Sequence, residues 1–201
     1  MNKIKNSILV TATAAFFTAC TYSRHFTTTY YKENEAALRA VRKNFAALYR
    51  IQPFSLEIKD KAATLIGLEL HTDSIKYVYE FRLDEPYFFD TLAKYKFDIR
   101  QVSELVNAMQ AAHCTWVSLL DYYENYQPKN LLFISVRHKD LTALLKPEKY
   151  FTLAFFNAPQ PYDEKNRLLD RTDKKANRKI NDAVYRRIND SVFYALMEKY
   201  R

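Results

Sequence analysis

From Pro53 onward the hydrophobic residues fall at every second position, and this alternation constrains the fold more than any other feature of the chain. Phe54, Leu56 and Ile58 alternate with polar neighbours, Ile66, Leu68 and Leu70 form a second run, and Ile75, Tyr77, Tyr79, Phe81 and Leu83 form a third. Successive side chains on a strand point to opposite faces, so a period of two gives each run one apolar face for a core. Asp60-Lys61 and His71-Thr72-Asp73-Ser74 supply the turns between runs, and Pro86 blocks continuation. A three-stranded antiparallel meander is expected.

A helix over residues 33–50 precedes it, with Leu38, Val41, Phe45 and Leu48 on one face and Lys32, Arg39, Arg42 and Lys43 largely away from that face. Asp98 is a fair N-cap for a second helix bearing Val102, Leu105, Val106 and Met109. Three β-prone runs follow, Thr115–Tyr123, Leu131–Arg137 and Tyr150–Phe156, closed by Pro159 and Pro161. Both halves therefore read helix, three strands, proline. Residues 64–73 (TLIGLELHTD) laid over 131–140 (LLFISVRHKD) share Leu, His and Asp, and the helices match Leu38 with Val102, Val41 with Leu105 and Phe45 with Met109. That reading is a duplicated α-β-β-β unit, 33–86 and 98–159. A rival stays open: Val102, Met109, Trp116 and Tyr123 are spaced by seven, which makes 99–126 one long helix and leaves five strands and no repeat.

Over residues 174–200, Ile180, Val184, Ile188, Val192, Ala195 and Leu196 form an apolar stripe with Lys175, Lys179 and Arg186 opposite, which predicts a C-terminal amphipathic helix. The expected fold class is α+β: an antiparallel sheet of five or six strands in two meanders with packed helices, in a single globular domain over 33–201.

The chemistry is mostly defined by exclusion. Gly67 is the only glycine, whereas phosphate-cradling loops need several to bring backbone amides close to a ligand, so nucleotide chemistry of the P-loop or dinucleotide kind is not expected. There is no Gly-x-Ser-x-Gly elbow, His-Glu-x-x-His pair or Cys-x-x-Cys pair. The histidines are His25, His71, His113 and His138. Under the repeat, His71 with Asp73 and His138 with Asp140 occupy equivalent turns; two His and two carboxylates form a divalent-metal set in principle, but Asp in turns usually bonds its own backbone. Asp84-Glu85 and Asp163-Glu164 read as exposed turns. Cys114 lies among apolar residues and reads as a buried thiol rather than a nucleophile. No catalytic residue, metal or cofactor is assigned.

The N-terminus speaks to location. Lys3 and Lys5 precede an apolar run, Ile8–Phe17, too short to span a bilayer, and Thr18, Ala19 and Cys20 follow. This order resembles the signal peptide and lipobox of bacterial lipoproteins, with Phe17 where Leu is usual and Thr18 at the next place. The resemblance implies removal of residues 1–19, acyl chains on Cys20, and a tether over 20–32 that holds the domain to a membrane of the cell envelope. Thr21 after the cysteine, where Asp would imply retention, implies the outer membrane, facing the periplasm. Cleavage removes Lys3 and Lys5, leaving 29 basic against 23 acidic residues, a net +6. Such a charge suits anionic lipid or envelope polymers, not nucleic acid, which an exported domain rarely meets. Nine basic residues between Lys165 and Arg187 read either as a second membrane contact or as a solvated face. Two functional classes follow: an anchored binding or scaffold module for an envelope protein, glycan or lipid, rich in tyrosine suited to such contacts, or an exported hydrolase with a deep pocket near His71, His138 or Cys114.

Overall fold

The computed structural model describes residues 29–124, 127–137, 150–170, 173 and 176–198. Two compact units divide the chain, Met1–Glu35 and Ala36–Arg201. In the first, residues 29–33 are helical and the Asn34 side-chain amide donates to the Tyr30 carbonyl at 3.0 Å, so the end of the expected tether is a helical turn. Residues 1–19, Cys20 and the rest of the segment expected to be a tether lie outside the described residues.

The second unit is built on an eight-stranded antiparallel sheet. Its strands are β1 (Phe54–Ile58), β2 (Leu65–His71), β3 (Lys76–Arg82), β4 (Cys114–Glu124), β5 (Gln127–Arg137), β6 (Tyr150–Phe156), β9 (Arg186–Arg187) and β10 (Val192–Met197), in the spatial order β3-β2-β1-β4-β5-β6-β10-β9. A small hairpin, β7 (Lys179–Ile180) with β8 (Ala183–Val184), forms a separate two-stranded sheet. Among the described residues of this unit three helices accompany the sheet: α1 (Glu35–Tyr49), α2 (Pro86–Lys94) and α3 (Ile99–Ala111).

The α+β class holds, but the expected sheet of five or six strands with a C-terminal helix is overturned. Residues 179–197 form four strands in place of the helix. The first reason is β6, which is buried at all seven positions and so needs a hydrogen-bonding neighbour on its far side. β10 supplies one, pairing from Val192↔Phe155 to Met197↔Tyr150. The second is the turn between β7 and β8: Asn181 (φ 47°) and Asp182 (φ 62°) both take the left-handed conformation that a type I′ hairpin requires and a helix forbids.

The meander expected at Phe54–Leu83 is present, in register from Phe54↔Leu70 and Leu70↔Tyr77. The long-helix rival over 99–126 fails. Asp98 caps α3 by accepting from the backbone amides of Arg100 (2.8 Å) and Gln101 (3.3 Å), the helix ends at Ala111, and β4 begins at Cys114, where β-branched Thr115 and Val117 enter the sheet. Helix-then-meander order recurs in both halves, and the meanders meet where Leu56 faces Val117. The sheet is nevertheless not two equal units, because β10, β9 and the segment before them attach to the second meander alone.

Each side of the sheet is covered differently. One face carries Phe54, Leu56, Ile66, Leu68 and Phe81 toward the helices, with Phe54 packed on Phe45 of α1 (ring centroids 4.8 Å) and Phe81 on Phe88 of α2 (5.4 Å). The other face is apolar only over β4, β5, β6 and β10, where Trp116, Phe133, Phe156 and Phe193 pack under Leu168, Ile180 and Tyr185 of the C-terminal segment.

Candidate functional site

α1 brings cations to the sheet. Leu38, Val41, Phe45 and Leu48 bury one stripe of the helix, and beside it Arg39, Arg42, Lys43, Ala46, Tyr49 and Arg50 recur at i, i+3, i+4, i+7, i+10 and i+11, a second stripe on the adjoining flank. That flank overhangs Leu119 of β4, Leu132 of β5 and Phe155 of β6, and between helix and strands lies a groove of about 680 Å³. Arg42 sets its guanidinium 4.8 Å from the centre of the Phe155 ring, a cation–π contact that holds charge over an apolar floor. Asn130 and Asn157 stand at the sheet rim, the Asn157 amide donating to Asn130 Oδ1 at 3.4 Å. Burial, and then the negative charge of Asp121, push the Tyr49 phenol above its ordinary pKa, so Tyr49 presents a neutral hydroxyl. Among the described residues no carboxylate pairs with Arg42, Lys43 or Arg50. The groove thus offers cations, amide dipoles and an aromatic floor to one ligand. Reading Arg39, Arg42 and Lys43 as turned away from the apolar face missed that they flank it, since the partner strands lie some 70 to 110 residues further along the chain.

The residues singled out from sequence take other roles. Cys114 is 2% exposed, and its Sγ lies 3.9 Å from the Ala112 carbonyl. It borders a smaller concavity of about 370 Å³ with Gln110, His113, Thr115 and the Asp60–Ala63 turn. His113 itself is exposed and left-handed (φ 52°). His71 Nε2 lies 3.9 Å from Glu69 Oε2, an oxygen that Lys76 Nζ reaches at 2.5 Å, while Asp73 is exposed in the following turn. His25, His138 and Asp140 lie outside the described residues, and among those described no three His, Cys, Asp or Glu side chains gather as a metal site.

Both carboxylate pairs serve turns and helix starts. Asp163 accepts from the backbone amides of Lys165 (3.0 Å) and Arg167 (2.7 Å) and from Arg167 Nε (2.7 Å), and these bonds hold its pKa below the usual carboxylate value. Asp84 meets Arg82 at 3.4 Å, and Glu85 precedes Pro86 at the start of α2. In the basic run, Arg178 is no solvated cation. It is 9% exposed, donates to Gln160 Oε1 (3.3 Å) and the Tyr123 carbonyl (3.4 Å), and lies 5.1 Å from the Tyr122 ring, pinning the C-terminal segment to β4.

Comparison with known proteins returns no matching family model, no similar curated protein and no similar solved structure. Among the described residues no helix is long and apolar enough to cross a membrane.

Proposed function

We propose that this chain is a bacterial envelope lipoprotein, held to its membrane by acyl chains on Cys20, and that it works as a binding module whose α1 groove takes the phosphate headgroup of an anionic lipid. The observation that carries the reading is the set of cations with no carboxylate partner among the described residues, Arg42, Lys43 and Arg50, lining one groove with the apolar floor of Leu119, Leu132 and Phe155. A phosphate ester meets arginine through charge-assisted hydrogen bonds, and the adjoining apolar surface accepts the glycerol and first methylenes that follow it. The lipobox resemblance at Phe17-Thr18-Ala19-Cys20 and the mature charge of +6 support the same setting. An exported hydrolase draws on the concavity beside Cys114, but a thiol with 2% exposure is poorly placed to attack a substrate.

The test separates anchor from groove. Cys20→Ala protein is mixed with phosphatidylglycerol vesicles and with phosphatidylcholine vesicles, and sedimentation reads the bound fraction. Binding is expected to the anionic vesicles only, and Arg42→Glu with Lys43→Glu is expected to weaken it at least about tenfold, given roughly 1 kcal/mol per basic residue near an anionic surface. Equal binding to both vesicles, or indifference to the double substitution, refutes the groove. For the anchor, the full chain is expected to incorporate a fatty-acid probe that Cys20→Ala does not.

A further inference from the structure

The two ends of the sheet are unlike. At one end β9 offers two residues, both arginine. At the other, β3 is seven residues long, its ladder with β2 runs without a bulge from Leu65↔Arg82 to His71↔Lys76, and among the described residues no strand pairs with its outer edge. The bonds closing that ladder, Thr72 N–H to the Ile75 carbonyl and Leu83 N–H to the Thr64 carbonyl, both 3.0 Å, fix its alternation. Tyr77, Tyr79 and Phe81 turn their backbone groups to β2, while Lys76, Val78, Glu80 and Arg82 turn theirs outward. Val78, between Lys76 and Glu80 in this outward set, is 63% exposed. Such an edge is a template for another strand.

We infer that β3 pairs antiparallel with β3 of a second copy, about a two-fold axis through Val78, joining two sheets edge to edge. A two-fold axis normal to the sheet keeps each face continuous, so the register must centre on a residue. Centring on Tyr79 sets Lys76 opposite Arg82 and Val78 opposite Glu80; centring on Glu80 sets that carboxylate opposite itself. Centring on Val78 sets Lys76 opposite Glu80 twice and packs the two valines together. A register on Phe81 sets Glu80 opposite Arg82 but uses only the end of the strand. Like charges directly opposite destabilise a ladder and unlike charges support it, so of the other three the register on Val78 is favoured.

This register also extends contacts already made within one copy. Lys76 meets Glu69 at 2.5 Å and Lys59 meets Glu80 at 2.6 Å, so across the seam Glu69, Lys76, then Glu80 and Lys59 of the second copy alternate in sign. On the opposite face Tyr77 meets Tyr79 of the second copy, prolonging the stack of Tyr77, Tyr79 and Phe81 (centroids 6.4 and 5.6 Å). A five-residue seam is small beside the roughly 1,200–2,000 Å² of a stable interface, so the dimer forms and dissolves with concentration.

The full chain, in non-ionic detergent so that acylated Cys20 is tolerated, is followed by sedimentation velocity over a wide concentration range. Reversible dimerisation is expected, with at least a tenfold loss in Val78→Lys, which sets two cations against each other at the axis. Mild oxidation is expected to cross-link Val78→Cys but neither Tyr79→Cys nor Glu80→Cys, a readout that holds if the lysine variant folds poorly. A chain that stays monomeric throughout, a dimer untouched by Val78→Lys, or cross-linking at Tyr79→Cys or Glu80→Cys in place of Val78→Cys overturns the inference.

Discussion

Tyr185 lies in the second core with its hydroxyl 2.8 Å from Thr152 Oγ1, and Thr152 is 3.1 Å from the Ala195 carbonyl. A carbonyl is a better acceptor than the Met197 thioether, which lies 3.6 Å from Tyr185. The threonine proton therefore goes to Ala195 and the tyrosine proton to Thr152. Burial pushes the Tyr185 pKa far above the ordinary 10.0, so the folded chain keeps a proton that the unfolded chain loses above about pH 10. Its contribution is complete below that pH and is lost as pH rises toward the folded value. Tyr185→Phe is expected to cost about 1 kcal/mol at pH 7, and the gap from wild type should narrow steadily above pH 10 in urea unfolding curves. Parallel pH profiles for the two proteins would disprove the account. The lone glycine has a comparable local meaning: a Cβ on Gly67 would stand 3.0 Å from Lys59 Cε, so the bare backbone lets that side chain cross β2 to reach Glu80.

At the scale of elements, the shortage of glycine is felt where helices end. Lys96 (φ 59°) after α2 and His113 (φ 52°) after α3 occupy left-handed positions that glycine normally fills, and both donate back into the last helical turn, to Ala93 and Gln110 at 3.0 Å. An L side chain there costs about 1–2 kcal/mol. Lys96→Gly and His113→Gly should each raise stability by about 0.5–1 kcal/mol in chemical denaturation; no gain at either site would show that their side chains repay the strain. Elements set by one local pattern were readable from sequence: the stripe Leu38, Val41, Phe45 and Leu48, the cap at Asp98, and the alternation from Phe54 to Phe81. After a β run Pro86 signals a strand stop, but proline also suits the first turn of a helix, which is where it sits in α2. At the C-terminus the four-residue spacing of Ile180, Val184, Ile188 and Val192 imitates a helix, and the contrary signals were Asn181-Asp182 and Asn189-Asp190, which fall inside that spacing, together with Phe193 and Tyr194. The groove stayed hidden because α1 supplies its cations and β4, β5 and β6 its floor, and no local pattern joins them.

Across the whole second unit, the cover is uneven. Strands β4, β5, β6 and β10 carry apolar layers on both faces, whereas the first meander is packed on its helix side and presents Glu57, Lys76, Val78 and Glu80 on the other. Local opening should follow that difference, since backbone hydrogen bonds under two layers break only when most of the core does. Hydrogen exchange read by mass spectrometry is expected to be slowest over 131–136 and 151–156 and fastest in the sheet over 76–82. The reverse order would show that the second layer adds little. The same unevenness at the two borders of the sheet governs growth. A fibre needs a donor margin and an acceptor margin on every molecule, and with β9 cut to a pair of arginines the sheet has, among the described residues, only one that is long enough to extend. On the inferred β3 pairing, polymerisation through this sheet therefore terminates at its first step, and crowding yields closed pairs instead of fibrils.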